Sequence, residues 1–579
     1  MGGRFRRLTA SLIAVVFAAS CTSPNEDPPP DSLPSAAESA DELMAAYSDG
    51  DFEATAAALD NSGTDVWTAR RLRRWTRRHV EAGLVTAVEL ERAGEPKETP
   101  GVGESVDVPY TVTIESTAMA EPAVLSGTLG LSFDSDSERW VAEWDESALW
   151  PGIEGGSRFD VVTKWPRRAP LLDRRGRPIA VGRAESRRYP FGSLAGSTIG
   201  HLEPLVKQDM DEDDALHRAG DLVGGSGLEE AFEDELAGTP GSRLVVVDTA
   251  GRKLETLGRR AAVPGRPART TLDMQVQRAA QEAYGSGVGG AVALDPSTGD
   301  LLAVVDSGAF DPGSYVGVGG IEPFNRALVG LYPPGSAMKV VTASAALDTG
   351  TVRPTTNVTG PKEYKGVRNF ESGEFGTIDF ATALKFSVNT AFAQVAEDLG
   401  GRALTRYATA FGFNRQPALP VEAAESSFPP PQDLSDVMWG SIGQAQVLAT
   451  PMQMASVAAT VANGGRRMEP RIAMGERPTG ERAIKRRTAR TMTALMENVV
   501  VGGTGSAARI GGVRVAGKTG TAEVDVAGER KNHAWFVCFA PADDPKVAIA
   551  VVSEYGGVGG EVAAPIAGRM LIRVLPLVR

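Results

Sequence analysis

The sequence predicts a multidomain α+β protein, and three observations lead there. At 579 residues the chain exceeds one ordinary domain. Its front reads as helices followed by alternating strands. Its rear reads as strands at both ends of a largely helical middle, which requires a sheet whose members lie far apart in sequence. Apolar residues make up 42% and charged residues 23%, so large cores are possible and global disorder is excluded. The net charge of -13 argues against general nucleic-acid binding, which needs a basic face to neutralise phosphates.

The first residues have the layout of a secretory signal. Arg4, Arg6 and Arg7 precede the apolar run 8–19, and Ser20 and Cys21 follow. A spanning helix needs about 20 apolar residues, more than this run supplies, and residues 22–34 are rich in Pro, Asp and Ser. Cys21 and Cys538 are the only cysteines, so no disulfide framework is expected. Ala18-Ala19-Ser20-Cys21 resembles the processing box of bacterial lipoproteins, with Ala18 where leucine is most common. Lipidation of Cys21 is the expectation; a short uncleaved anchor and plain secretion are the other outcomes. Each places the protein outside the cytoplasm, the first two on the outer face of the cell membrane. Cys538 lies in the apolar run 534–539 and reads as an inert strand residue.

After the linker 22–35, residues 36–59 read as one or two helices and 66–80 as an arginine-bearing one. From Val106 the period changes to two: Val106, Val108, Tyr110, Val112 and Ile114 alternate with smaller or polar residues, and so do Leu129, Leu131 and Phe133. A small α+β unit over 36–151 follows. A second unit, 152–269, carries the turn Asp173-Arg174-Arg175-Gly176, an acidic patch at 209–214, glycines at 224–227 and a strand at 244–248. Those glycines read as turn residues, since the strand–turn–helix setting of a phosphate cradle is missing. The third unit, 270–579, begins with a helix over 272–284 that has Asp273 in its first turn. Strands 290–294 and 301–305 follow, joined by Asp295-Pro296-Ser297-Thr298-Gly299-Asp300. Strands 534–539 and 547–553 and a helix over 562–575 close it.

Tyr332-Pro333-Pro334-Gly335 is a rigid approach that cannot be helix interior, and an alanine-rich helix is expected from Ser336 to about Leu347. Residues three apart share a helix face, so the Ser336 hydroxyl and Lys339 amine can meet. A serine needs a base to become a nucleophile, and a desolvated lysine can serve. A helix N-terminus would also favour developing negative charge. Taken alone, the pair reads as an ordinary serine cap beside a surface lysine, since S-x-x-K recurs by chance in a chain of this length.

Two further motifs change that reading. Phe386-Ser387-Val388-Asn389-Thr390 lies about 50 residues on, and Gly517-Lys518-Thr519-Gly520-Thr521-Ala522-Glu523 precedes the final hairpin. With Ser336-x-x-Lys339, these resemble, in order and separation, the motifs of the penicillin-recognising serine acyltransferases. Thr271-Leu272-Asp273, 295–299, 333–339, Ser441-Ile442-Gly443-Gln444 and 450–455 resemble the transpeptidase domain of class B penicillin-binding proteins. Gly225-x-Gly227-Leu228-Glu229 and the turn at 173–176 resemble that class's non-penicillin-binding (dimerisation) module, with Ala169 where glycine is common. The leading unit resembles the NTF2-like domain of methicillin-resistance-type members and actinobacterial penicillin-binding lipoproteins.

The resemblance implies a β-lactamase/transpeptidase-like C-terminal domain, an antiparallel sheet plus a helical lobe. It implies a serine D,D-transpeptidase that cross-links peptidoglycan stem peptides through a Ser336 acyl-enzyme and is acylated by β-lactams. Lys339 would take the Ser336 proton. Backbone N–H groups of Ser336 and Thr521 would hold the oxyanion. Ser387 with Lys518 would relay a proton to the leaving group, and Asn389 would orient substrate and Lys339. Lys518, Thr519 and Thr521 would bind the terminal carboxylate, while a side chain at Gly520 would obstruct substrate. Glu523 has no assigned role. No cofactor or metal is expected: His79, His201, His217 and His533 are scattered, and His533 reads as a strand-end residue. Expected partners are stem peptides, β-lactams, the cell membrane and glycosyltransferase, divisome or elongasome proteins. A D,D-carboxypeptidase, a β-lactamase, or a non-enzymatic β-lactam sensor or scaffold are the competing functions.

Overall fold

The computed structural model describes residues 33–63, 66–98, 105–148, 150–209, 216–314 and 324–578. The expected signal, Cys21 and most of the linker and acidic patch lie outside them. Two compact units form, one from Met1–Pro166, Val206–Ala219 and Gly238–Pro264, the other from Arg167–Leu205, Gly220–Ala237 and Gly265–Arg579. The stretch 152–269 contributes to both.

In the first unit, α1 (Ala36–Ser48) starts at a capping box in which Ser35 and Glu38 satisfy each other's backbone N–H groups. Leu43, Met44 and Tyr47 give it a buried face. A short α2 (Phe52–Ala57) follows. The arginine-rich helix α3 spans Ala69–Gly83, three residues later than the sequence suggested. The shift has a local cause: the Thr68 hydroxyl accepts from Arg71 N as N-cap, which leaves Trp67 outside the helix and buried in the core.

A five-stranded antiparallel sheet packs against these helices. It runs β1 (Val85–Arg92), β3 (Ser105–Ser116), β4 (Ala123–Asp134), β5 (Arg139–Ala142), with β2 (Lys97–Glu98) also on β3. Along β3, Val108, Tyr110, Val112 and Ile114 are buried and their neighbours are not, the alternation the sequence showed. Gly127 is required opposite Tyr110, because a Cβ there would lie 2.5 Å from its ring. Trp150, fully buried, donates to Tyr47 OH at 2.5 Å and seals the core. Strands β6 (Arg158–Lys164), β7 (Gly241–Val247) and β8 (Lys253–Arg260) add a three-stranded sheet in the order β8-β7-β6.

The second unit is built on a five-stranded antiparallel sheet, β10-β9-β13-β12-β11. These are β9 (Gly289–Leu294), β10 (Leu301–Asp306), β11 (Ala516–Val526), β12 (Glu529–Ala540) and β13 (Val547–Ser553). The sheet therefore joins strands more than two hundred residues apart, as expected. Side chains alternate between two covers. Phe536 and Cys538 face α4 (Met274–Tyr284) and the last helix (Ala563–Val574). Trp535, Val537 and Phe539 face the helical lobe, including Pro451–Ala462. Asp273 is the N-cap of α4, accepting from Gln275 N at 2.9 Å, and not a residue of its first turn. The α-helix expected from Ser336 begins at Lys339; Gly335–Met338 is a 3₁₀ turn.

Gly227 has φ +58, and a Cβ there would lie 2.6 Å from Thr198 O, so these glycines serve close backbone packing. Beside them Glu229 is fully buried and accepts from Arg168 Nε at 2.9 Å and Arg187 Nε at 2.7 Å. Glu229→Ala would leave the buried Arg187 guanidinium without its carboxylate, while Arg168 keeps Glu233 at 2.8 Å, a cost of roughly 3–5 kcal/mol for breaking the buried pair. The expected result is a Tm several degrees lower for this unit; an unchanged Tm would show that water replaces the carboxylate.

Candidate active site

Three close backbone approaches set where the site residues sit. The strand-like approach at Tyr332 is tied to Ala449 by paired backbone bonds of 3.0 and 2.8 Å, and Trp535 Nε1 donates to Pro333 O at 2.9 Å. Gly335 has φ +52, donates to Gly443 O at 2.9 Å, and a Cβ on it would lie 2.5 Å from Thr521 O. A Cβ on Gly520 would lie 2.6 Å from Pro334 O and 3.1 Å from Ala337 N. Glycine at 520 is thus demanded by the turn carrying Ser336. This close approach adds to the clearance for substrate that the sequence leads one to expect at Gly520.

Ser336 is half-buried in this 3₁₀ turn, and Lys339, three residues on, is the first residue of α5 (Lys339–Thr349) and fully buried. With three residues per turn, side chains at i and i+3 eclipse, so both project to one side. The Lys339 amine is held by other partners. It donates to Ser387 O at 2.7 Å and Asn389 Oδ1 at 2.6 Å and lies 3.2 Å from Ser387 Oγ. The Ser336 hydroxyl makes no hydrogen bond among the described residues.

Ser387 sits between α6 (Phe380–Lys385) and α7 (Asn389–Leu399) with φ +60, a conformation non-glycine residues rarely hold without tertiary support. Asn389 opens α7 and donates through Nδ2 to Arg368 O at 2.8 Å, which leaves its Oδ1 facing Lys339. From β11, Lys518 reaches across to donate to Ser387 Oγ at 2.8 Å and to Thr519 O at 2.9 Å. Lys339, Ser387, Asn389 and Lys518 therefore form one hydrogen-bonded network.

Both amines are fully buried, and neither makes an ion pair among the described residues. Burial pushes Lys518 down to about 7. Burial first, and the nearby Lys518 charge second, hold Lys339 well below the ordinary lysine range. A neutral Lys339 amine has two N–H groups, which the pure acceptors Ser387 O and Asn389 Oδ1 occupy. Its lone pair is then free to take a proton from a hydroxyl.

β11 is an edge strand, paired only with β12 among the described residues. Thr519 lies on it 2.7 Å, hydroxyl to hydroxyl, from Thr504, and Thr521 Oγ1 accepts from Gly559 N at 3.2 Å. Thr504 was not singled out from sequence. Its signal there is a Gly502-Gly503-Thr504-Gly505 turn after a helix, which reads only as a loop. Glu523 is an exposed partner of Arg530 at 3.4 Å. His533 lies within β12, is nearly buried and accepts from Tyr555 N through Nδ1 at 3.2 Å, with burial lowering its pKa. Cys538 is fully buried, which raises its thiol pKa far above the reactive range. Among the described residues, no group of three or more His, Cys, Asp and Glu side chains is placed to hold a metal, and no helix is long and apolar enough to cross a membrane.

Two family models match this chain: the penicillin binding protein transpeptidase domain over residues 289–571 and the penicillin-binding protein dimerisation domain over 174–270. The peptidoglycan D,D-transpeptidase PbpA of Mycolicibacterium smegmatis is 36% identical over 401 residues, covering 60% of this chain and 79% of PbpA. MrdA of Acinetobacter baumannii, also a peptidoglycan D,D-transpeptidase, is 32% identical over 441 residues, covering 65% of this chain and 64% of MrdA. Among solved structures, PBPA from Mycobacterium tuberculosis superposes with a TM-score of 0.59 at 29% identity, covering 71% of this chain and 98% of that one. Pseudomonas aeruginosa PBP2 does so at 0.61 and 29%, covering 71% and 96%. The buried lysine pair, the edge strand that carries Lys518 and the two matched domains converge: the chain belongs to the penicillin-binding protein transpeptidase family.

Proposed function

We propose that this enzyme, a serine-type D,D-transpeptidase, cross-links peptidoglycan by using Ser336 as nucleophile and Lys339 as its base. The observation that carries the assignment is the convergence of two uncompensated buried amines, Lys339 and Lys518, on Ser387 Oγ beside the turn that bears Ser336. Ser336 Oγ attacks the carbonyl between the two terminal D-alanines of a stem peptide, and its proton passes to the Lys339 lone pair. Backbone N–H groups of Ser336 and Thr521 hold the tetrahedral oxyanion. As the C–N bond breaks, Ser387, hydrogen-bonded to Lys518, hands its proton to the departing D-alanine amine and takes back the proton that Lys339 received from Ser336, which leaves Lys339 neutral for the second half. An amine from a neighbouring stem then attacks the Ser336 ester, its proton leaves through Lys339, and the serine is released with a new peptide bond formed. A β-lactam follows the first half of this course, its ring amide opening onto Ser336 Oγ. Thr519 and Thr521 bind the donor's terminal carboxylate, and Thr504 orients the Thr519 hydroxyl toward it.

Residues 36–151 serve as an NTF2-like leading domain, consistent with three helices laid on a twisted antiparallel sheet. Residues 152–269 act as the non-catalytic module, and 270–579 as the catalytic domain. A lipid on Cys21 holds the enzyme at the outer face of the membrane, where glycosyltransferase and division or elongation proteins are its partners.

Fluorescent penicillin is expected to label the wild type covalently, while Ser336→Ala keeps its Tm and loses labelling. With lipid-linked peptidoglycan chains the wild type should yield cross-linked dimers; labelled alanine variant, or D-alanine release without dimers, would defeat the respective part of the assignment. Because Lys339 must be neutral to accept a proton, the acylation rate should rise with pH through its folded pKa and level off above it. Lys518→Ala removes a neighbouring positive charge and admits water, both of which raise the Lys339 pKa, so the midpoint should move to higher pH. An unmoved or lower midpoint would exclude Lys339 as the titrating base. Thr504→Val should weaken binding of carboxylate-bearing donors roughly threefold to tenfold, the worth of one hydrogen bond, with the acylation step unchanged and Thr504→Ser near wild type. An equal loss in the serine variant would make the role one of packing.

A further inference from the structure

Charge is unevenly placed in the leading part of the chain. Residues 33–166 hold 25 Asp and Glu against 11 Lys and Arg, yet six of those eleven are Arg70, Arg71, Arg73, Arg74, Arg77 and Arg78 of α3. The helix has a single acid, Glu81. Its apolar side is already used: Leu72 is fully buried and His79 nearly so, and Gly83 is wedged so that a Cβ would lie 3.0 Å from Phe159. All six arginines are exposed.

Their partners divide them. Arg73 pairs with Glu53 at 3.1 Å, Arg77 with Glu81 at 3.7 Å, and Arg71 lies over the Trp67 ring at 4.0 Å. Arg70, Arg74 and Arg78 make no ion pair among the described residues. Spaced i, i+4 and i+8, they form one stripe about 12 Å long. Three adjacent guanidiniums repel one another.

We infer that the Arg70–Arg74–Arg78 stripe is a docking face for an anionic phospholipid bilayer. Charge complementarity is one argument, and reach is the other. Between the apolar run ending at Ala19 and α1 stand the Pro-rich residues 22–35, which extended span roughly 45–50 Å. A lipid on Cys21, as proposed above, keeps the leading unit within that reach of the headgroups, and the reach holds only with that anchor. Since the apolar side of α3 is occupied by the core, contact is electrostatic and superficial, without insertion. It therefore falls off within the Debye length, about 8 Å at physiological salt. This inference is independent of the acyl-transfer assignment.

The test uses the full chain reconstituted into vesicles of phosphatidylcholine alone, or of phosphatidylcholine with one lipid in three replaced by phosphatidylglycerol. Arginines are footprinted with phenylglyoxal and read by peptide mass spectrometry, with fluorescent penicillin labelling as a check on folding. Labelling of Arg70, Arg74 and Arg78 should fall severalfold on the anionic vesicles and recover in high salt, while exposed Arg139 and Arg402 stay unchanged. Equal labelling on both vesicles would overturn the proposal. So would protection already present on phosphatidylcholine, which would mean that protein covers the stripe, or protection by soluble polyphosphate without protection by the anionic vesicles. As a second variant, Arg73→Gln should leave the lipid-dependent footprint of the stripe in place; its loss would assign the effect to the helix's total charge and overturn the stripe as the docking face.

Discussion

Lys339 and Lys518 are fully buried, and neither has a carboxylate to balance it among the described residues. Isolated charge in such a place is costly, and the accessible way to lower the cost is to give up the proton. Neutral acceptors then decide geometry: Ser387 O and Asn389 Oδ1 take the two N–H groups of Lys339, and Ser387 Oγ with Thr519 O takes those of Lys518. The proton is thus held less tightly than on an exposed lysine, with no aspartate or histidine in the network. The second amine keeps the first from holding its proton, so the two lysines act as one electrostatic device.

Enclosing those amines depends on how closely the backbone can pack around them. The turn at 333–337 lies against β11 and the 441–443 segment at distances that only glycine permits at 335, 443 and 520. A methyl group at any of them would force the turn away from the strand, opening the lysines to water and raising their pKa values. The left-handed Ser387 belongs to the same arrangement, since it lets one residue offer a carbonyl to Lys339 and a hydroxyl to both amines. The chemistry therefore rests on packing density as much as on the identity of the catalytic groups.

Much of this was legible beforehand. The period of two from Val106 to Ile114 and the apolar runs at 534–539 and 547–553 marked strands correctly, because alternation and burial act residue by residue. The three motifs were readable as a set because their order and spacing constrain one another. Element ends were less so: α3 begins at Ala69 because Thr68 caps it, and α5 begins at Lys339 because Gly335 and its contacts hold the preceding turn in 3₁₀ form. Caps and tight turns depend on neighbours that periodicity does not see.

For the nucleophile the division is clear. Sequence by itself determined the residue types and their order, since those follow from side-chain chemistry and local pattern. Tertiary structure decided that Lys339 binds Ser387 and Asn389 in place of Ser336, that Gly520 serves the turn, and that Thr504 meets Thr519. Each of these joins residues from 15 to more than 180 positions apart, and such encounters are set by how helices and strands pack, which no local pattern encodes.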